Sequence, residues 1–387
     1  MVVTNGCVTY MPLKKPKVVV AGQVPPPLGG QNIMIQKAAT QFGRSNECES
    51  VHLPFFFTPD FKTARKGSVR KIFELLRVVG RLIEIRRAGP IDIILYPTGG
   101  PQRVPMVRDV LLLPWVLAMS RRVVLHFHAA GIADELARNS GILVRLVAFL
   151  YRFAFAAVVM TNFNRRDPEA VGIERVTIVP CRVDDSFDPQ LVSRGDARTL
   201  RLLYVGHLCS DKGTPELLEA FAALRRNYPD AKLELVGECL PPFDQKDLEQ
   251  CIDQLGIRSH VCLSGVLTDR AKAEAFGRAD LFVFPTVAPY ESFGLVLAEA
   301  MAWGLPIVAT RWRGNFDVLT PDAGAICYSI SSSLADDTAN ALQQAVNQRK
   351  EWMKWGRTNR LIFEQRYSEK TAQDWLVEPI LSLLPQN

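Results

Sequence analysis

The sequence predicts an α/β protein made of two doubly wound halves, each with a parallel sheet between layers of helices. Its 387 residues exceed the usual size of a single hydrophobic core, which favours two domains. Hydrophobic residues make up 48% of the chain and charged residues 22%, an ordinary globular composition. Short apolar runs recur between longer amphipathic stretches, as they do where parallel strands alternate with crossover helices.

The apolar runs form two series along the chain. The first series predicts strands at 18–21, 91–95, 123–127, 157–161 and 176–179. The second series predicts strands at 201–205, 232–236, 261–264, 281–284 and 307–309. Amphipathic spacing predicts helices at 215–226, 248–255 and 270–277, with another at 334–356 after the last strand.

The break between the two series lies at about 185–198, where an acidic, proline-containing segment leads into a polar run. We therefore predict a first domain at 1–190, a second at 191–368 and a C-terminal segment at 369–387. In doubly wound proteins the ligand binds at the carboxyl ends of the strands, so the site is expected in a cleft between the two halves.

Charge and cysteine content narrow the class of protein. The formal net charge of +6 and pI near 8.9 favour phosphate-bearing substrates or an anionic membrane surface over nucleic acid. The eight cysteines include no C-x-x-C pair and have no histidine at zinc-finger spacing, which indicates reduced thiols and no metal site. The N-terminus lacks a signal-peptide pattern, and Arg145 and Arg152 interrupt the most apolar stretch. We expect a cytoplasmic protein that does not span a membrane.

The segment 285–306 carries the strongest candidate site. It follows the predicted strand 281–284, opens a helix at about Phe293 and ends on Gly-Leu-Pro. The start of such a helix offers free N–H groups and a positive dipole end to a diphosphate. Glu291 and Glu299 can accept hydrogen bonds from hydroxyl groups, one from a sugar and the other from a ribose. Alternatively, the two acids are ordinary helix charges.

The pair Glu291-x7-Glu299 with Phe293-Gly294 inside it resembles the signature of retaining GT-B glycosyltransferases of family four. The resemblance covers most of 16–375 and is strongest over 201–324. It implies two facing Rossmann-like domains and a last helix, at about 370–386, that crosses back to the first domain. It also implies that Glu291 contacts the transferred sugar and Glu299 the ribose. The residues that would bind the donor phosphates through the helix start are Ser292, Phe293, Gly294 and Leu295.

A second segment, 203–213, resembles the Gly-Arg…Lys-Gly loop of the same family through Gly206, Lys212 and Gly213. In that family the Arg and Lys neutralise the donor diphosphate, so the resemblance assigns this role to Lys212. His207 stands at the Arg position, either as a conditional phosphate ligand or as a loop histidine with no catalytic duty. The resemblance further implies that the nucleotide base lies near Gly265, Val266 and Leu267.

Two candidate features lie in the first half. Gly29 and Gly30 follow the first predicted strand, where the resemblance implies a glycine loop beside the donor phosphates; an ordinary turn is the alternative. His126 and His128 end another strand on one face of the extended chain. The resemblance favours His128 near the donor sugar and the acceptor hydroxyl, with His126 on the acceptor side, although two core histidines would show the same pattern.

The stretch 69–87 predicts a basic amphipathic helix. It is interpreted either as an outer crossover helix with a solvated cationic side or as a docking element on an anionic bilayer that carries a lipid-linked acceptor.

The expected activity is transfer of a sugar from a UDP-, GDP- or other nucleotide diphosphate-sugar to a hydroxyl of a glycan or lipid-linked acceptor. The resemblance implies retention at the anomeric carbon, and no D-x-D-like pair follows a strand, so we expect no metal and no cofactor. Two alternatives are a nucleotide-sugar epimerase and a non-catalytic nucleotide-sugar-binding protein. A Rossmann dehydrogenase is disfavoured because no G-x-G-x-x-G follows the first strand.

Overall fold

The structure is a computed structural model that describes residues 15–27, 29–57, 69–139, 141–193, 199–371 and 374–384. Its main elements are two parallel sheets of six strands each, flanked by helices. This architecture confirms the predicted α/β class with two doubly wound halves.

The first sheet contains β1 to β6, and the helices of this half are α1 to α6. The strands are β1 Lys17–Gly22, β2 Glu49–Pro54, β3 Ile91–Pro97, β4 Ser120–His126, β5 Ala156–Val159 and β6 Val176–Ile178. The helices are α1 Gly30–Arg44, α2 Val69–Arg87, α3 Arg103–Met119, α4 Ile132–Ala137, α5 Ile142–Tyr151 and α6 Arg166–Ala170. The strand order is β2-β1-β3-β4-β5-β6, and every pair is parallel.

The second sheet contains β7 to β12 in the order β12-β11-β10-β7-β8-β9, again parallel throughout. Its strands are β7 Arg201–Val205, β8 Lys232–Val236, β9 Val261–Gly265, β10 Leu281–Phe284, β11 Ile307–Thr310 and β12 Ala325–Tyr328. The helices are α7 Thr214–Arg225, α8 Gln245–Gln254, α9 Asp269–Arg278, α10 Leu295–Ala302, α11 Asn315–Val318, α12 Leu334–Asn347, α13 Trp352–Ile362 and α14 Val377–Leu381.

The two faces of the first sheet pack into different cores. Side chains of α2, α3 and α5 pack on one face, where Val19, Ile94 and Leu125 point. Val18 and Val20 point to the opposite face and join a larger core that includes α1 and the second half of the chain. Because side chains alternate along a strand, β1 contributes to both cores, which accounts for its continuous apolar sequence.

Several elements differ from the sequence-based prediction. The predicted strands do not include β2 and β12, both edge strands that are largely half-buried. The single helix predicted at 334–356 is two helices, α12 and α13, separated by a 3₁₀ turn at Arg349–Glu351. The last helix, α14, is shorter than the predicted 370–386 and packs against α1 of the first half.

The predicted linker at 185–198 lies between β6 and β7, with 194–198 outside the described residues. Near this point an isolated parallel β-bridge pairs Val183 with Ser368. The domain limits at 190 and 368 stay predictions. Within the described residues no helix is both long and apolar enough to cross a membrane.

Candidate functional site

Three hydrogen bonds join the two halves where the loop after β10 meets the ends of β4 and β5. Ala130 N donates to Tyr290 O over 3.2 Å, and Ser292 Oγ donates to His128 O over 2.6 Å. Thr161 Oγ1 donates to Ser292 O over 3.4 Å. The segment 290–292 therefore lies against the carboxyl end of the first sheet, at the predicted location of the cleft.

Helix α10 begins at Leu295, two residues later than the predicted Phe293. Gly294 caps the helix with a φ of +71°, and a Cβ atom there would lie 2.7 Å from Asn315 Oδ1. A left-handed residue with so close a neighbour requires glycine. Phe293 is buried against Tyr367, with ring centroids 5.6 Å apart. A Cβ atom added at Gly30 would lie 3.2 Å from Leu295 Cδ1, so the glycine loop of Gly29 and Gly30 faces the start of α10.

The two central charges of the site form an ion pair. Lys212 Nζ lies 2.5 Å from Glu291 Oε2, and both side chains are buried. Thr286 Oγ1 donates to the same carboxylate oxygen over 3.3 Å, and the ammonium lies 5.6 Å from the centroid of the Tyr290 ring. The structure thus brings together the residue predicted to bind phosphate and the residue predicted to bind the sugar.

The position of Lys212 depends on the glycine that follows it. Lys212 ends a 3₁₀ turn, and Gly213 then takes a φ of +71° and caps α7. A Cβ atom at Gly213 would lie 2.3 Å from Pro285 O, in the loop after β10. The loops after β7 and β10 can approach this closely only because residue 213 lacks a side chain. Gly206, at the end of β7, has its amide bonded to Val236 O.

His207 is half-buried beside this ion pair. Burial lowers the pKa of its imidazole to about 4, helped by the positive charge of Lys212 and partly opposed by Glu291. The ring is therefore neutral near pH 7, so it can donate a hydrogen bond to a phosphate but does not supply the fixed charge of an arginine.

His126 and His128 lie together at the end of β4, with ring centroids 3.9 Å apart. Both are buried, and burial lowers the pKa of His126 to about 4. The pKa of His128 is lowered well below its usual value by burial and then by His126. His128 Nε2 has no hydrogen-bond partner among the described residues. A neutral imidazole next to the cleft is thus left with one ring nitrogen to offer to a ligand.

Glu299 has a partner that the sequence pattern did not indicate. Its Oε1 accepts from Lys272 Nζ over 2.7 Å, whereas its buried Oε2 has no partner in the described part of the chain. Lys272 lies on α9, which follows the loop of Gly265, Val266 and Leu267. Val266 is exposed, and Gly265 O accepts from Gly237 N over 2.8 Å. The predicted base loop and the predicted ribose carboxylate are therefore connected through α9.

An ion pair between the two halves of the chain also has no signal in the sequence. Arg313 Nη2 lies 2.6 Å from Asp134 Oδ2, and the guanidinium is largely buried. Arg313 Nε and Nη1 have no partner among the residues described. The two residues stand 179 positions apart, and no motif marks either of them. In the described residues no cluster of three or more His, Cys, Asp or Glu is arranged to hold a metal ion.

The fold and the cleft define a class of protein, the GT-B glycosyltransferase fold. The structure of sucrose-phosphate synthase from Thermosynechococcus elongatus aligns with 95% of this chain and 99% of that chain, with a TM-score of 0.73 and 16% identity. Anabaena HepE in complex with UDP aligns with 95% of this chain and 100% of that chain, also with a TM-score of 0.73 and with 19% identity. These likenesses confirm the predicted fold.

The sequence of the second half matches a known family. Residues 192–361 are similar to the family described as glycosyl transferases group 1. Mannosylfructose-phosphate synthase of Agrobacterium fabrum is 33% identical over 124 residues, 31% of this chain and 27% of that protein. Phosphatidyl-myo-inositol mannosyltransferase of Propionibacterium freudenreichii is 30% identical over 137 residues, 35% of this chain and 32% of that protein. The chain thus matches about a third of the length of these relatives.

Proposed function

We propose that this protein transfers a sugar from a nucleotide diphosphate-sugar to a hydroxyl group of a glycan or lipid-linked acceptor. The observation that carries the proposal is the buried ion pair of Lys212 and Glu291 beside the start of α10, within the cleft of a GT-B fold. The group 1 family match over 192–361 supports it, as do relatives that are named as mannosyltransferases.

The diphosphate would bind Lys212 and the backbone amides at 292–295, where the dipole of α10 adds favourable potential. His207 would donate one hydrogen bond to it, and the glycine loop of Gly29 and Gly30 would border it. The ion pair between Glu291 and Lys212 would open, so that Lys212 binds the phosphates. The carboxylate of Glu291 would then accept a hydrogen bond from a hydroxyl of the sugar. His128 would lie near the transferred sugar and His126 on the acceptor side.

Glu299 would bind the ribose, since one of its carboxylate oxygens has no protein partner in the described residues. Gly265, Val266 and Leu267 would surround the base. These assignments follow the family resemblance and agree with the connection from the base loop through Lys272 to Glu299.

We further propose that the reaction retains the anomeric configuration and needs no metal. Departure of the nucleoside diphosphate builds negative charge at the phosphates, which Lys212 and the α10 dipole would stabilise without a divalent cation. Retention rests on the family motif around Glu291. The proposed location is cytoplasmic, peripheral on the inner face of the membrane.

The test is a calorimetric screen against UDP-, GDP-, ADP- and TDP-sugars, followed by product analysis with and without acceptor in the presence of EDTA. We expect one donor class to bind and transfer to require an acceptor, with the anomeric configuration retained. Conversion of donor alone into an epimer would favour the epimerase, and binding with neither hydrolysis nor transfer would favour the non-catalytic protein. Binding of none of the donors would overturn the proposal.

A further inference from the structure

Three helices form one layer over the first sheet, on the face away from α1. Buried residues of α2, α3 and α5, for example Val78, Leu112 and Val147, share a single core with alternate residues of the strands. Helix α3 contacts α2 on one side and α5 on the other. The outward sides of the three helices therefore lie next to one another on the surface.

Each of these helices exposes an apolar stripe at helical spacing. The stripe residues are 41% to 86% exposed: Val69, Ile72, Phe73 and Leu76 on α2; Val107, Leu111 and Trp115 on α3; Ile142, Leu146 and Phe149 on α5, continued by Phe153. Single exposed apolar residues are ordinary, but adjacent stripes that include three phenylalanines and a tryptophan indicate an interaction surface. We call this set the three-stripe surface.

The charge on the same helices is strongly positive. Helices α2, α3 and α5 carry nine Lys or Arg and three Asp or Glu, a net charge of six that equals the formal charge of the whole chain. All three acids are paired with an arginine on their own helix, namely Glu74 with Arg77, Glu84 with Arg81 and Asp109 with Arg108. The partner of this surface should therefore be anionic.

A groove beside α5 adds a place for anionic groups. It has a volume of about 540 Å³ and is lined by Arg145, Arg152 and Phe149 of the α5 region together with apolar residues around α6, without any acidic side chain. Arg152 lies 5.9 Å from the ring centroids of both Phe149 and Phe153. Arginines next to exposed aromatic rings are suited to the boundary between lipid headgroups and acyl chains.

We propose that the three-stripe surface docks on an anionic lipid bilayer. Its apolar side chains would enter the headgroup boundary while its arginines bind lipid phosphates. A second copy of the chain fits less well, because a twofold contact through this surface would place six positive charges against six more. An anionic bilayer offers acyl chains to the apolar stripes and negative headgroups to the unbalanced positive charge.

The surface borders the cleft. The stripes begin in the first turns of α2 and α5 and in the second turn of α3, and α3 follows the end of β3, at the carboxyl edge of the first sheet. Helix α4, which links β4 to α5, provides Asp134 for the pair with Arg313. Docking would therefore hold the cleft beside the bilayer, and a lipid-linked hydroxyl is the acceptor class that this position favours. This step rests on the proposed function.

The test is flotation of the full chain with vesicles of phosphatidylcholine alone or of equal parts phosphatidylcholine and phosphatidylglycerol. We expect binding to the anionic vesicles only, reduced about tenfold in the double variant Phe73→Ser/Trp115→Ser and weakened similarly by Arg145→Gln/Arg152→Gln. Met353→Ser is the matched control, because Met353 lies on α13 and is 70% exposed, whereas Phe73 is 68% exposed. It should bind as the wild type does.

Absence of wild-type binding to anionic vesicles overturns the proposal, as does an equal loss in Met353→Ser. Light scattering that shows a dimer dissociated by Phe73→Ser/Trp115→Ser would assign the surface to a second copy instead. Donor binding is measured separately without vesicles. Absence of docking with intact donor binding therefore refutes this inference and the proposed peripheral location but not sugar transfer, and flotation without donor binding refutes only the proposed sugar transfer.

Discussion

Lys212 Nζ lies 2.5 Å from Glu291 Oε2, and the two residues come from loops that follow different strands of the second sheet. Before a donor arrives, the cation proposed for the phosphates is thus neutralised by the acid proposed for the sugar. A bound diphosphate would have to replace Glu291 as the partner of Lys212. The carboxylate of Glu291 would then accept a hydrogen bond from a sugar hydroxyl. Binding of the two parts of the donor is coupled through this one pair.

Replacing Lys212 should affect donor binding and folding separately. Lys212→Ala is expected to weaken nucleotide-sugar binding about tenfold or more, because a charge-assisted phosphate contact is lost. It should also destabilise the fold by about 3 kcal/mol, since Glu291 is left buried without its partner. Calorimetry and urea unfolding measure the two effects.

The double variant Lys212→Met/Glu291→Gln separates these effects. It should recover much of the stability but none of the donor affinity, because neither buried charge remains while the phosphate cation is still missing. The exposed Lys354 on α13 provides the control Lys354→Ala, which should change neither quantity. Unchanged donor affinity and turnover in Lys212→Ala would show that Lys212 is not the phosphate cation.

Gly213→Ala should be far more damaging than an alanine at an open glycine. A Cβ atom at residue 213 would lie 2.3 Å from Pro285 O and would have to occupy a φ of +71°, so we expect a loss of at least about 2 kcal/mol and of donor binding. Gly80→Ala on α2 is the control, because its Cβ meets nothing within 4 Å. It should raise stability by about 0.5 kcal/mol through helix propensity. Thermal unfolding of both variants measures the difference, and similar stabilities would contradict the described loop packing.

The sequence is enough to predict most of the fold because the central strands are buried on both sides. β1 and β10 contain uninterrupted apolar runs, as does β4 over its buried residues 123–125, and the positions of these strands follow directly. The edge strand β2 does not, since half-burial leaves the mixed sequence Glu49–Pro54. The edge strand β12, Ala325–Tyr328, is apolar but is identified as a strand only by its pairing with β11. The delayed start of α10 also has no sequence signal, because the left-handed Gly294 is identified only by its backbone.

The sequence predicts the site residues that stand in local motifs, but not the contacts between them. Glu291, Lys212 and Glu299 each stand in a motif, but nothing in the sequence shows that the first two form an ion pair. Lys272 and Glu299 are 27 positions apart on different helices, and their contact depends on how α9 and α10 pack. Pairing across separate elements is a property of the packed structure, and a single sequence does not record it.

Stability should fall as the pH is lowered from about 6.5 towards 4. Burial lowers the pKa of His126 to about 4 in the folded chain, whereas an unfolded histidine titrates near its ordinary value of about 6.5. The unfolded state therefore binds the extra proton in this range, so stability is complete above about pH 6.5 and decreases below it. Urea unfolding at a series of pH values should show a shallower decrease in His126→Asn. His260→Asn, at a far less buried site, is the comparison, and equal slopes in all three proteins would contradict the assignment.

Nucleotide binding should be accompanied by proton uptake at His207. In the free protein its pKa is about 4, lowered chiefly by burial and then by Lys212. A bound diphosphate favours the imidazolium and raises this pKa, so affinity should increase as the pH falls from neutral towards 4. Calorimetry of UDP or GDP binding at about pH 6, in buffers of different ionisation enthalpy, measures the uptake.

The phosphate groups of the nucleotide titrate in the same range, so the informative quantity is the difference between wild type and His207→Gln. The wild type should take up more protons than the variant. Equal uptake by the two proteins would remove His207 from the phosphate site and leave it as a loop histidine.

Glu299 provides the sharpest test of where the nucleoside binds. Its Oε1 is held by Lys272, and its buried Oε2 has no partner in the described residues, so one oxygen remains for a ribose hydroxyl. Glu299→Gln should weaken UDP or GDP binding by about 1.5 kcal/mol, roughly tenfold, because a hydrogen bond to a charged acceptor becomes one to a neutral amide. Lys272→Met should weaken it less, since the carboxylate stays while its orientation is lost. Inorganic diphosphate lacks the ribose, and its affinity should be the same in wild type and Glu299→Gln. A loss of diphosphate affinity equal to the loss of nucleotide affinity would mean that Glu299 acts through the structure of α10 instead of contacting the ribose.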